Sequence, residues 1–153
     1  MKKIGEHTIR GRLDAADGAS IVDGEFVRIN LFAGDYRKAY RVTKFLVISG
    51  DQSSTDGMGR LTTEQDVPYA IADYVDMSDP RQIAWATING TTDLSMIDMQ
   101  SVVVRDNLVV EDLYMTFRGP TGVSSMNYYI ECDIMELEEM QGPLVMVQNR
   151  SQG

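Results

Sequence analysis

LVVEDLYMTF occupies residues 108–117 and MNYYIECDI occupies residues 126–134, with the turn residues Gly119-Pro120-Thr121-Gly122 between them. Both runs alternate apolar side chains with other side chains, a period of two that is typical of β-strands burying one face. The glycines and proline between the runs favour a reversal of the chain. We therefore predict a β-hairpin from Leu108 to Leu137 around which the remaining strands pack.

The alternation assigns one face of this hairpin to the core. Its members are Leu113, Met115, Phe117, Tyr128, Ile130, Cys132 and Ile134. The apolar residues change phase at Met135-Glu136-Leu137, which predicts a β-bulge or the end of the strand at that point.

Shorter runs of strand-forming residues, separated by turn dipeptides, fill the chain before the hairpin. Candidate strands among them are residues 7–13, 26–32, 39–49, 60–64, 82–88 and 102–104. We expect residues 102–104 to form a second hairpin with residues 108–110. Many short strands without intervening helices predict an all-β protein, an antiparallel β-sandwich with jelly-roll or Greek-key connections.

The last part of the chain has a different pattern. Residues 142–150, GPLVMVQNR, place Pro143 where the first turn of a helix tolerates proline. The apolar residues of this run are consecutive, so the pattern alone does not separate helix from strand. We favour a short C-terminal helix.

Length and composition indicate one domain spanning residues 1–153. The net charge of −9 repels a phosphate backbone, so we expect no direct contact with nucleic acid and no attraction to an anionic membrane. The sequence has no run of 18 apolar residues that predicts a membrane span, and its first residues lack the apolar segment of a signal peptide. Cys132 is the single cysteine, which excludes an intrachain disulfide.

Residue types that carry catalysis or bind metals are scarce. His7 is the single histidine, and we interpret it as a surface residue because no nucleophile motif accompanies it. Cys132 fits a small core residue, and one cysteine with one histidine cannot form a zinc site. No phosphate-binding or dinucleotide-binding glycine motif occurs. We therefore expect no enzyme activity, no cofactor and no metal.

The acidic run DQSSTDG at residues 51–57 is the one segment that suggests calcium. An EF-hand loop needs glycine where Asp56 stands and a carboxylate where Thr62 stands. A solvated turn is the favoured interpretation, and a calcium site of another kind is the alternative.

Ten methionines, most of them in the second half of the chain, are a further feature of the composition. Methionine fills irregular gaps in cores and adapts to varied contact surfaces. Core packing is the favoured interpretation, and a subunit interface that repacks is the alternative.

Four stretches invite comparison with a known class of protein. They are RQIAWA at 81–86, VRDNLVVEDL at 104–113, NYYIE at 127–131 and NRSQ at 149–152. In them the chain resembles the small single jelly-roll coat proteins of tailless viruses. The resemblance implies a non-catalytic subunit that assembles into a shell. Coat proteins that package nucleic acid with an arm carry a terminus rich in Arg and Lys, whereas only Lys2, Lys3 and Arg150 lie near the termini here.

We therefore expect a virion structural protein, a capsid or capsid-associated subunit, whose partners are copies of itself or other capsid subunits. Its expected location is the virion, after assembly in the host cytoplasm. The alternative is a non-catalytic carbohydrate- or receptor-binding β-sandwich that uses Trp85, Tyr69, Tyr74 and the loop Asp51–Gly57. A third hypothesis is a β-barrel enzyme whose Asp and Glu residues come from distant strands.

The face of the predicted hairpin opposite the core supplies candidate contact residues. They are Tyr114, Tyr129, Glu131 and Asp133. Aromatic and acidic side chains together suit a hydrated contact between proteins. We predict that these four residues belong to an interface.

Overall fold

The computed structural model describes residues 1–22, 24–32, 34–50, 56–65, 74–89, 98–119 and 122–137. These residues form eight β-strands and no helix. In chain order the strands are β1 (Lys2–Asp14), β2 (Phe26–Ile29), β3 (Lys38–Ser49), β4 (Gly57–Thr62), β5 (Gln82–Asn89), β6 (Asp98–Val103), β7 (Leu113–Arg118) and β8 (Ser125–Glu136). The predicted helix at residues 142–150 lies outside the described residues.

Hydrogen bonds join the described strands into two antiparallel sheets. The three-stranded sheet has the order β1-β8-β3, and the five-stranded sheet has the order β2-β7-β4-β5-β6. β1 pairs with β8, β2 with β7 and β4 with β5, while β6 contacts β3. The jelly-roll or Greek-key character of the connections stays a prediction, because β6 hydrogen-bonds to β5 of the five-stranded sheet and only packs against β3. The predicted antiparallel β-sandwich is confirmed, and the extent of the domain, residues 1–153, stays a prediction.

The main core fills the space between the two sheets. Along β7, buried side chains alternate with partly exposed ones, so Leu113, Met115 and Phe117 point inward as predicted. From β8, Ile130 and Cys132 point toward them. Full burial of an aliphatic or aromatic side chain stabilises the fold by about 1.5–3 kcal/mol, so this alternation is the main reason that the sheets pack.

The two sheets approach each other closely beside Gly59 of β4. A Cβ atom at this position would lie 2.6 Å from Cγ1 of Val47 and 3.2 Å from the ring of Phe45. Both of those side chains belong to β3 in the opposite sheet. Glycine is therefore required here by packing against the facing sheet.

The predicted hairpin from Leu108 to Leu137 is wrong as a pairing, although its two strands exist. β7 lies between β2 and β4, and β8 lies between β1 and β3, so the two strands belong to opposite sheets. The chain crosses from one sheet to the other between Arg118 and Ser125. A strand in a central position pairs both of its backbone edges, which a hairpin of two isolated strands cannot do.

The second predicted hairpin, between residues 102–104 and 108–110, is also wrong. β6 pairs with β5, and the chain after it runs along the outer edge of β3. There Tyr40 and Val109 exchange two backbone hydrogen bonds, each 2.8 Å long. The side chain of Asn107 continues this contact by bonding to the backbone of Val42.

The predicted irregularity near the end of β8 is confirmed. In β1, the register shifts between Lys3 and Gly5, which pair with Met135 and Ile134. Beyond this bulge, Met135 and Leu137 pack in a second small cluster, apart from the main core. The change of phase in the sequence therefore marks the point where the buried side chains of β8 pass from the main core to the second cluster.

Candidate functional site

The structure places the four predicted interface residues on opposite outer surfaces of the sandwich. Tyr129, Glu131 and Asp133 lie on the outward side of β8, the middle strand of the three-stranded sheet. Tyr114 lies on the outward side of β7 in the five-stranded sheet. The four side chains therefore do not form one surface, because β7 and β8 are not partners. A role of these residues in an interface stays a prediction.

We call the outward side of the three-stranded sheet the three-stranded face. Its side chains come from alternate residues of β1, β8 and β3, and the strand register aligns them in rows across the sheet. The rows are Arg10–Tyr129–Leu46, Thr8–Glu131–Lys44 and Glu6–Asp133–Arg41. Each row combines a cation from an outer strand with an acidic or phenolic group from β8.

Tyr129 and Glu131 form a fixed pair at the centre of this face. The Tyr129 hydroxyl donates a hydrogen bond of 2.7 Å to Oε1 of Glu131. This bond to a carboxylate raises the pKa of Tyr129 above its ordinary value, so the phenol stays protonated as a donor. Nζ of Lys44 lies 5.9 Å from the centre of the tyrosine ring, within range of a cation–π attraction.

Lys3 connects the two other acidic groups of the three-stranded face. Its Nζ lies 2.8 Å from Oε1 of Glu6 and 3.0 Å from Oδ1 of Asp133. The hydrogen bond with Glu6 is the largest cause of a raised pKa at Lys3. This bridge ties β1 to β8 beside the bulge, and it leaves most of the Glu6 side chain exposed.

A groove of about 330 Å³ crosses the same face. Outward-facing side chains and one inward-facing row of residues line it. The outward-facing residues are Arg10, Leu46, Ile48, Asn127 and Tyr129, and the inward-facing row is Gly11–Tyr128–Val47. Tyr128 and Val47 send their side chains into the core, so mainly backbone forms the floor of the groove. The lining is mainly apolar and aromatic, with Arg10 as its charged member, a composition that suits a protein–protein contact.

The groove residues Arg10, Leu46 and Ile48 are not among the four predicted interface residues. The signal for these residues in the sequence is the period of two along residues 7–13 and 39–49, which predicts two strands. Their alignment with Tyr129 depends on the pairing of distant strands, which that period does not specify.

Tyr114 lies beside a separate polar cleft of about 290 Å³ on the other sheet. In this cleft, Oδ2 of Asp112 accepts a hydrogen bond of 2.8 Å from Nε of Arg28, and Oδ1 accepts one of 3.0 Å from the Leu31 backbone. Burial raises the pKa of Asp112, but the bonds from Arg28, Leu31 and Phe32 outweigh it and hold the pKa below its ordinary value. The carboxylate therefore fixes the chain after β2 against β7.

Trp85 and Tyr74, the aromatic residues of the ligand-binding alternative, are buried rather than displayed. Trp85 is 3% exposed, and its Nε1 donates a 3.0 Å hydrogen bond to Oε1 of Gln82. The ring of Tyr74 lies 4.5 Å from the guanidinium of Arg60, whose Nη1 donates to the Tyr74 carbonyl oxygen at 3.0 Å. These rings hold the connection before β5 against the outer side of the five-stranded sheet. Tyr69 lies outside the described residues.

The described part of the chain brings no three His, Cys, Asp or Glu side chains into an arrangement that could hold a metal ion. Residues 51–55 of the suggested calcium loop lie outside that part. Cys132 is 2% exposed, and burial raises the pKa of its thiol to about 12. The thiol is therefore a core group and is protonated at neutral pH.

Among the described residues, no helix has the length and apolar character that a membrane span requires. A scan against models of known protein families finds no match, and a search of curated proteins finds no significant match. The function is therefore argued from the strand wiring and from the three-stranded face.

Proposed function

We propose that the protein is a structural subunit of a virion, a capsid or capsid-associated protein that assembles with copies of itself or with other capsid subunits. The observation that carries this proposal is the strand order of the two sheets, β1-β8-β3 against β2-β7-β4-β5-β6, which differs from that of a jelly roll in the placement of β6. Jelly-roll wiring occurs in viral capsid subunits, and also in lectin domains and cupins. Because a fold alone does not define a function, the choice among these possibilities is supported by the surfaces of the molecule.

The surfaces favour a structural subunit over a carbohydrate- or receptor-binding module. A module of that kind needs aromatic and polar groups that reach a ligand from a concave site. Trp85 and Tyr74 are both less than a tenth exposed, so their rings are not open to stack on a sugar. The groove on the three-stranded face is instead mainly apolar, with Arg10 as its charged lining residue, and this composition suits a contact between subunits.

The distribution of charge also supports contact between copies. The strands of the three-stranded sheet hold seven Lys and Arg residues and five Asp and Glu residues, whereas the whole chain holds 14 and 23. The remainder of the chain is therefore strongly acidic. A face with a small excess of cations that meets an acidic region of another subunit gains attraction and orientation.

The overall negative charge makes direct contact with the genome unfavourable, so under this proposal another component of the virion makes that contact. At a net charge of −9, the subunit gains no counterion release from a phosphate backbone. Under this proposal the protein resides in the virion, after assembly in the host cytoplasm, and its partners are other capsid subunits.

Electron microscopy of the purified protein at high concentration tests the proposal. We expect closed shells, sheets or other regular assemblies of a subunit of 17.1 kDa. Particles that form only when a second capsid protein is added would also support a capsid-associated role. Uniformly dispersed monomers, both alone and with the other proteins of the particle, would contradict the proposal.

A further inference from the structure

β1 is the open edge of the three-stranded sheet. It runs for 13 residues and pairs with β8 on one side, and no described residue forms a strand on its other side. The opposite edge of this sheet, β3, is already occupied by Asn107 and Val109. An exposed edge strand presents backbone N–H and C=O groups that can pair with another strand.

Edge strands commonly avoid pairing by carrying charged side chains, but β1 carries charges of both signs, which can complement one another. If β1 pairs antiparallel with β1 of a second copy around Thr8, Glu6 of each copy lies opposite Arg10 of the other. Directly opposed residues of opposite charge stabilise a pair of strands. In the same register, Gly5 lies opposite Gly11, so no side chains collide at the ends of this central stretch.

The side chains of this register are available for such a contact. Glu6, Thr8 and Arg10 are all exposed and share the outward side of β1. The Glu6 side chain is 76% exposed, although it bonds to Lys3, and Arg10 forms no ion pair with any described residue. The bulge between Lys3 and Gly5 limits the regular ladder to the stretch centred on Thr8.

We infer that two copies of the protein pair edge to edge through antiparallel β1 strands centred on Thr8, making a continuous six-stranded sheet. The inference names one contact of the proposed assembly and rests on that proposed function. The two three-stranded faces then lie side by side on one surface, related by a two-fold axis through the new strand pair.

Cysteine cross-linking tests the register. In a Thr8→Cys variant, the new thiol of one copy faces the equivalent thiol of the other copy across the two-fold axis. The native Cys132 is buried and does not compete for oxidation. We expect mild oxidation to give a covalent dimer. Glu6→Cys and Arg10→Cys should each cross-link poorly alone and well when mixed, because each position faces the other. A Thr8→Cys variant that stays monomeric after oxidation at high concentration would overturn the inference, as would equal cross-linking of all single variants.

Exchange of the charges tests the energetic basis of the contact. Glu6→Arg or Arg10→Glu places like charges opposite each other twice in the dimer, so each should weaken dimerisation by about ten-fold or more. The double variant Glu6→Arg/Arg10→Glu should recover most of this loss. Arg105→Glu, an equal charge change at an exposed residue outside β1, is the control and should leave the dimer unchanged. No recovery in the double variant would overturn the inference.

These results are separable from the proposed function. Regular assemblies that form without cross-linking at Thr8 would reject the β1 contact and leave the structural role in place. A Thr8→Cys dimer of a protein that never assembles further would support the contact and reject the shell.

Discussion

The side-chain amide of Asn107 pairs with the backbone of Val42 as a neighbouring strand would. Val42 N donates to Oδ1 of Asn107 at 2.8 Å, and Nδ2 of Asn107 donates back to the Val42 carbonyl oxygen at 2.9 Å. Nδ2 also donates to the carbonyl oxygen of Val104 at 2.6 Å. This buried side chain thus pairs with the backbone of β3 at its outer edge, beside the Tyr40–Val109 pair, and fixes the link after β6. Among the described strands of this sheet, β1 is then the one with an open edge.

Replacement of Asn107 by alanine should destabilise the fold through these lost bonds. The buried N–H and C=O of Val42 would keep no partner at that edge, so we expect a loss of about 1–3 kcal/mol in the free energy of unfolding. Asn30→Ala is the matched control, because Asn30 is exposed, and it should change the stability by less than about 0.5 kcal/mol. Urea denaturation measures both variants, and equal midpoints would contradict this role.

Stability at acid pH should depend on Asp112. Its pKa is lower in the folded protein than in the unfolded chain, so its stabilisation is complete above the ordinary value of 3.8 and is lost as pH falls through the lowered value. We therefore expect the free energy of unfolding to fall below about pH 4, and to fall less in Asp112→Asn. Asp79, bonded to Arg81, contributes in the same direction in both proteins. An unchanged acid profile in Asp112→Asn would contradict the assignment.

Gly59 should tolerate no side chain. An alanine Cβ would meet Val47 at 2.6 Å in the facing sheet, so Gly59→Ala should cost about 1–3 kcal/mol of stability through overpacking. Gly5→Ala is the matched control, because its Cβ would lie at an ordinary distance of 3.6 Å from Ile134. Thermal unfolding of the two variants should show a clear decrease only for Gly59→Ala, and a larger decrease for Gly5→Ala would contradict the packing argument.

Tyr74 should act as an anchor of the connection before β5. Its hydroxyl shares a 2.8 Å hydrogen bond with Thr116, and its ring lies beside Arg60. Tyr74→Phe removes only the hydroxyl and should cost about 1 kcal/mol. Tyr74→Ala also removes the ring and should cost about 3 kcal/mol, with faster hydrogen exchange in residues 74–81. Equal losses in the two variants would show that the ring contributes nothing.

Local patterns in the sequence predicted the β-class and the inward faces of the central strands. The alternation along β7 and β8 identified Leu113, Met115, Phe117 and Ile130 as core residues, and the structure buries all four. This succeeded because a period of two depends only on neighbouring residues and on which side of a strand meets the core.

Strand partners could not be predicted in the same way. A Gly/Pro turn between two strands is compatible with a hairpin and also with a crossing between sheets. The predicted pairing of β7 with β8 is wrong because the chain makes such a crossing there. The rows of the three-stranded face depend on residues from three distant strands, such as Arg10, Tyr129 and Leu46. No local pattern reveals that the amide of Asn107 meets the backbone of Val42.

The most direct test of the central claim is the molar mass of the protein in solution, measured by light scattering over a range of concentrations. Ile48→Glu and Val102→Glu provide a matched pair, because both wild-type side chains are exposed, by 45% and 49%, but only Ile48 lines the groove of the three-stranded face. We predict that the mass of the wild-type protein and of Val102→Glu rises with concentration far above 17.1 kDa, and that Ile48→Glu assembles weakly. A wild-type protein that stays at 17.1 kDa at every concentration would contradict assembly through this face.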